Sequence, residues 1–142
     1  MFKKILVATD ASEYSRRALK TALELARTSG GEIELLYVMY LREAYWGYNV
    51  AYSILIPPEQ IEDAGGQALE ATLQGIDVGN VLVKKKVVQG YPATMILEEA
   101  EKEVIDLVVM GSHGYGPIAG SMLGSVSQRV LQRAECPVLI VK

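Results

Sequence analysis

A single cysteine and a single histidine in 142 residues exclude several kinds of chemistry at the outset. Cys136 has no partner for an internal disulfide, which agrees with a reducing compartment and predicts a cytoplasmic protein. It stands just before Pro137 and an apolar strand, with no histidine or second cysteine near it in sequence, so it reads as an inert structural thiol. Long apolar runs are missing too. After Met1, Phe2-Lys3-Lys4 leads only into Ile5 to Ala8, too short for a signal-peptide core or a bilayer span, and no membrane association is expected. Neither sign of charge dominates, since 14 basic and 17 acidic residues are mixed along the chain for a net charge of −3. No electrostatic footprint for nucleic acid results.

What is present is enough apolar residue, half of the chain, to fill one core without disulfides or a structural metal. Residues 1–142 are accordingly expected to form one domain. Ile5-Leu6-Val7-Ala8 is a continuous apolar run of the kind found in parallel strands covered on both faces. From about Ser12 to Ser29, Leu19, Ala22, Leu23 and Ala26 fall at helical spacing until Gly30-Gly31 stops the pattern. A second strand follows in Ile33 to Met39. Ile61, Ala68, Leu69, Thr72, Leu73 and Ile76 mark a helix opened by Pro57-Pro58. In the third strand Val81, Val83 and Val87 share one face and Lys84 and Lys86 the other, which predicts a solvated sheet edge where Lys84-Lys85-Lys86 needs no ligand. A helix over Pro92 to Glu103, a buried strand over Ile105 to Met110, a last helix carrying Val126, Val130, Leu131 and Ala134, and a strand over Val138 to Val141 complete the pattern.

Strands alternating with helices in this way predict an α/β fold, an open doubly wound parallel sheet with helices on both faces. Ligands of such sheets bind at the carboxyl ends of the strands, here Ala8-Thr9-Asp10 and Met110-Gly111-Ser112. Gly111 to Gly124 carries five glycines and one proline between a buried strand and a helix. Glycines let backbone amides approach a phosphate closely, and the helix N-terminus adds unpaired N–H donors and positive dipole character. Ser125 or Ser127 is placed to cap that helix or to donate a hydroxyl to a phosphate oxygen. The loop holds no Lys or Arg, which excludes a P-loop. Gly114 to Ala119 matches the dinucleotide pattern only formally, because it follows the fourth strand and contains Pro117. A receiver domain would need an acceptor Asp after the third strand, where Val88-Gln89-Gly90 stands.

Gly111-Ser112-His113-Gly114, nine residues, then Gly124-Ser125 resembles the ATP-binding signature of the universal stress protein family. The resemblance extends to Ile5 through Glu13, to Leu35-Leu36-Tyr37-Val38 and to Cys136 through Val141, and so spans the chain. It implies a five-stranded parallel sheet in the order 3-2-1-4-5, in agreement with an edge position for the lysine-bearing strand. It also implies that Ala8, Thr9 and Asp10 meet adenine and ribose, that Val38 packs on the base, and that Gly111 lies near the ribose. Gly114, Gly124, Ser125 and Val126 would cradle the phosphates. Two positions depart from the usual opening, Ala8 where Pro is common and Ala11 where Gly is common; Ala11 is harmless only if its φ is negative.

With no cation in the loop, triphosphate charge falls to backbone dipoles and to Mg²⁺ or another divalent cation, with Asp10 a candidate ligand directly or through water. Asp10-x-x-Glu13 also reads as a capping box. No efficient general base is evident, and His113 is expected to orient the loop by hydrogen bonding. The expected function is an ATP-binding regulatory or stress-response switch with slow or no hydrolysis. The alternatives are a nucleotide-free interaction module of the same fold and, less favoured, a true ATP hydrolase. Tyr40 to Pro58 carries Tyr40, Tyr45, Trp46, Tyr48 and Tyr52, a composition suited to a lid or a protein-docking surface. Val138 to Val141 has no charged residue until Lys142, and a homodimer is expected around that edge.

Overall fold

The computed structural model describes residues 1–40, 58–113 and 123–142. In chain order these form β1 (Lys4–Thr9), α1 (Glu13–Ser29), β2 (Glu32–Met39), α2 (Pro58–Leu73), β3 (Val83–Gln89), α3 (Pro92–Lys102), β4 (Leu107–Gly111), α4 (Ser125–Arg133) and β5 (Val138–Val141). All strand pairings are parallel, and the sheet order is β3-β2-β1-β4-β5. The order expected from the resemblance and the edge position expected from the lysines are both what the fold has. No helix among the described residues is long and apolar enough to cross a membrane.

Alternation along the central strands divides the core in two. Ile5, Val7, Leu107 and Val109 face α1, whose Ala18, Leu19, Ala22, Leu23 and Ala26 are all buried, with Leu69 of α2 beside them. Leu6, Ala8, Val108 and Met110 point the other way, toward Ala93 and Ile96 of α3 and Val130 of α4. Leu19 and Leu23 are almost wholly enclosed, and each such side chain contributes about 2 kcal/mol relative to an exposed one. Covering both faces explains why β1 and β4 read as unbroken apolar runs.

Helix ends are set by local chemistry. Ser12 is the N-cap of α1 and its Oγ accepts from the N–H of Ser15. The expected capping box is therefore displaced: Glu13 opens the helix instead of standing three positions into it. Gly30 ends the helix with φ 72°, a left-handed conformation that favours glycine. Arg16 Nη1 donates to the carbonyls of Ala71, Thr72 and Gln74 and so satisfies the last turn of α2. The fourth strand begins at Leu107, two residues later than its apolar run suggests, since buried Ile105 precedes it and Asp106 takes the N–H groups of Lys3 and Lys4.

The lysine run on β3 is more than a solvated edge. Lys84 pairs with Glu32, Lys85 with Glu70, and Lys86 with the buried Glu99 of α3. The first two pairs are exposed and contribute little; the third faces inward.

Candidate functional site

At the carboxyl end of β1 the chain turns sharply before α1. Thr9 is buried, and its Oγ1 accepts from the N–H of Ala11 at 2.9 Å and lies 2.7 Å from Thr72 Oγ1 on α2. Asp10 is half-buried; its Oδ1 accepts from the N–H of Ser12 at 2.9 Å and from Ser15 Oγ at 2.7 Å. This is an Asx-type turn rather than a helix cap. Oδ2 accepts no hydrogen bond among the described residues. Burial and then the charge of Asp10 push the phenol of Tyr37 above its ordinary value, which puts that charge at the β1–β2 junction.

The turn forces Ala11 to φ 68°, so the condition under which alanine is harmless there is not met. A Cβ in the left-handed region costs about 1–2 kcal/mol. Ala11→Gly is expected to raise stability by about 1 kcal/mol, read as a higher urea midpoint; an unchanged or lower midpoint would show that the turn carries no such strain.

β4 lies beside β1, with Val7 opposite Val109, so Gly111 reaches the same end of the sheet as Thr9 and Asp10. Gly111 is buried against α1, where a Cβ would stand 2.7 Å from Tyr14 Cβ. The Tyr14 ring meets His113 edge-on at 5.1 Å, and the Arg17 guanidinium covers Tyr14 at 5.4 Å. His113 Nδ1 is buried without a hydrogen-bond partner among the described residues. His113 packs on Tyr14, and the loop it is expected to orient by hydrogen bonding lies outside the described residues.

Helix α4 is anchored to the end of β4 by two bonds. Gly124 N–H donates to the carbonyl of Ser112, and Ser127 Oγ donates to the carbonyl of Gly111, each at 2.8 Å. Ser127 is thereby buried and structural, which corrects its reading as a phosphate donor. Gly124, also buried, is the N-cap of α4, and no side chain among the described residues caps this end. Ser125 is exposed and Val126 half-buried at the first turn. They line a cavity of about 140 Å³ with Tyr40, Tyr91, Pro92, Ala93 and Arg129. The N-cap of α3, Tyr91, likewise offers no side-chain cap. Two helix N-termini and one guanidinium thus converge on one space, an arrangement that favours an anion.

Arg129 is the residue that inspection of the loop alone misses. Its signal is helical spacing, since Ser125 and Arg129 are four apart and share a face. Ala8 and Val38 sit inside the apolar core cluster at this end of the sheet and do not line the cavity, Val38 with no exposed surface. Gly114 and residues 41–57 of the aromatic segment lie outside the described residues. Among the described residues no group of three or more acids, histidines or cysteines stands close enough to hold a metal ion. A larger cavity, about 320 Å³, opens at the opposite end of the sheet between the C-termini of α3 and α4, far from these groups. Cys136 lines it, with its thiol pKa pushed up by burial and so kept in the unreactive protonated form.

The model of the universal stress protein family matches residues 1–142. This chain belongs to that family. Universal stress protein MJ0531 of Methanocaldococcus jannaschii is 34% identical, with 100% of this chain and 83% of that protein covered. The solved structure of MJ0577 from the same organism is similar, with a TM-score of 0.80 at 34% identity over 100% of this chain and 96% of the other. A universal stress protein family member from Arabidopsis thaliana, solved with AMP bound, superposes with a TM-score of 0.65 at 27% identity, covering 99% and 91%.

Proposed function

We propose that this chain binds an adenine nucleotide, ATP or a close analogue, across the carboxyl ends of β1 and β4, and acts as a cytoplasmic regulatory switch with slow or no hydrolysis. The observation that carries the reading is the N-terminus of α4, which no side chain among the described residues caps and which opens with Arg129 on a cavity. The Arabidopsis relative solved with AMP bound supports the ligand class.

In this reading the amides of Ser125 and Val126 and the dipole of α4 meet phosphate oxygens, and Arg129 adds the cation that the loop lacks. Gly124 gives the chain its close approach, and Gly114 belongs to the same cradle by resemblance. Thr9 and Asp10 border the ribose, Gly111 supports its underside, and Ala8 and Val38 form the apolar floor toward the base. Asp10 fits a divalent cation only in part, because Oδ1 is held by two donors and Oδ2 alone is open. Mg²⁺ would be met there directly or through water, and it would neutralise phosphate charge.

Hydrolysis at an enzyme's rate needs a base aligned with a water. Asp10 Oδ1 is committed to the turn and His113 Nδ1 is enclosed, which leaves only Asp10 Oδ2 and His113 Nε2 for that task and supports slow or no hydrolysis. The four residues of β5 are apolar and half-exposed on a free sheet edge, which favours a homodimer through Val138 to Val141. Tyr40, packed on Tyr91 at 5.7 Å, begins the segment proposed for partner docking.

Ser125→Asp tests the reading. A carboxylate at the first turn takes the place of the phosphate and complements the helix dipole, so folding is unharmed. Calorimetric ATP affinity is expected to fall by about 10- to 100-fold, roughly 1.4–2.8 kcal/mol, with the melting temperature of the free protein unchanged or slightly raised. Equal affinity in the two proteins would remove α4 from the site, and no ATP binding by either would favour the nucleotide-free module. Light scattering on the same samples reads the dimer.

A further inference from the structure

We infer that Glu34 and Glu99 share one proton across the seam between β2 and α3, and that release of this proton loosens the β3 edge. Glu34 lies on β2 between buried Ile33 and Leu35, on the strand face that also carries Leu36 and Val38 and turns toward α3. Glu99 is buried on α3, and Lys86 Nζ of β3 donates to both of its oxygens at 2.9 and 2.8 Å. Glu34 Oε2 is buried with no hydrogen-bond partner among the described residues. A carboxylate has no donor, so an ionised Glu34 has nothing to offer Glu99 except repulsion. One proton on Glu34 changes this, because the new O–H donates to Glu99 and the orphaned oxygen gains a partner.

The surrounding charges leave that proton no substitute. Lys4 of β1 donates through Nζ to the carbonyl of Glu103, and Lys84 of β3 is paired with Glu32 of β2. Glu103, on the α3 side, adds a further negative charge against Glu34, while Lys102 acts on Glu99. Lys86, bonded to Glu99, is the cation whose charge acts on both acids among the described residues. Burial, then the hydrogen bond and charge of Glu99, push Glu34 up to about 7. Burial opposes the ionisation of Glu99, but the bonds from Lys86 and Glu34 hold it below the usual carboxylate value.

The two shifts act in opposite directions on stability. Glu34 takes up its proton more readily in the folded than in the unfolded chain, so its contribution is full below the unfolded value of 4.5 and disappears as pH rises through about 7. Glu99 contributes above its unfolded value and loses that contribution in acid. Between these limits the β2, β3 and α3 elements are held by one lysine, one carboxylate and one shared proton.

Carbon-13 labelling of the glutamate side chains reads the proton directly. The Glu34 carboxyl carbon is expected to titrate with a midpoint near 7, and a midpoint in the ordinary range near 4.5 overturns the proposal. From pH 6 to pH 8 the melting temperature is expected to fall by about 3 °C. Amide protection over 86–88, corrected for intrinsic rates, should drop about fivefold over the same interval. Glu34→Gln donates to Glu99 at every pH and should abolish the glutamate-dependent part of both changes. An identical fall in that variant, or unchanged protection in the parent chain, would defeat the inference.

Discussion

Replacing Lys86 with methionine is expected to cost about 3 kcal/mol of stability at pH 8, read as a lowered urea midpoint. Methionine keeps the apolar stem but removes the only ammonium among the described residues that touches Glu99, whose side chain is 6% exposed. Breaking a buried pair from one side leaves an uncompensated charge, a loss of about 3–5 kcal/mol. The lower end applies because Lys86 itself is 32% exposed and water reaches the gap. At pH 5 the same variant should recover most of the loss, because proton uptake by the two carboxyls removes the charge. A deficit below 1 kcal/mol at both values would mean that Lys86 is merely a solvated edge residue.

The second large effect is expected at Gly111. An added methyl would stand 2.7 Å from Tyr14 Cβ and 3.0 Å from the Tyr14 backbone carbon. Neither atom can move without shifting Tyr14 and the start of α1, so Gly111→Ala is expected to destabilise by about 2–3 kcal/mol, against the usual entropic gain of less than about 1 for replacing glycine. Gly66 in α2 is the control, since nothing lies within 4 Å of its Cβ position. Its alanine variant should gain up to about 1 kcal/mol from helix propensity. If both variants behaved alike in thermal melts, the contact between α1 and the end of β4 would not be tight. The displaced Tyr14 should also disturb His113, which packs on its ring.

The strand and helix pattern was legible because each element carries a local signature. β1 and β4 are unbroken apolar runs, α1 repeats alanines and leucines at helical spacing, and the lysines announce an edge. The β1 and α4 ends of the site were legible as a strand terminus and a glycine-rich approach to a helix. Features decided by distant partners were not. Glu34, Lys86 and Glu99 belong to three separate elements, and no spacing rule joins them. Ser127 looked like a phosphate donor until its bond to the Gly111 carbonyl took up its hydroxyl. Ala11 adopts a conformation that alanine resists, because the bonds from Thr9 and Asp10 outweigh the steric cost. The cap on α1 moved from Asp10 to Ser12 for the same reason, since Asp10 folds back on Ser12 and Ser15.

The sheet order has a consequence for how this site comes into being. The two strands that frame it, β1 and β4, pair Ile5 with Leu107, and the carboxylate of Asp106 reaches back to the N–H of Lys4 across 102 positions. Closing so long a loop is entropically expensive, and a fold dominated by such contacts assembles late rather than by local zipping. The turn at Asp10 and the start of α4 at Ser125 therefore take their places at one end of the sheet only after nearly the whole chain has been made and collapsed. A fragment ending before α4 has the turn at Asp10 but lacks the helix start at Ser125, so the proposed site would arise all at once with the completed sheet.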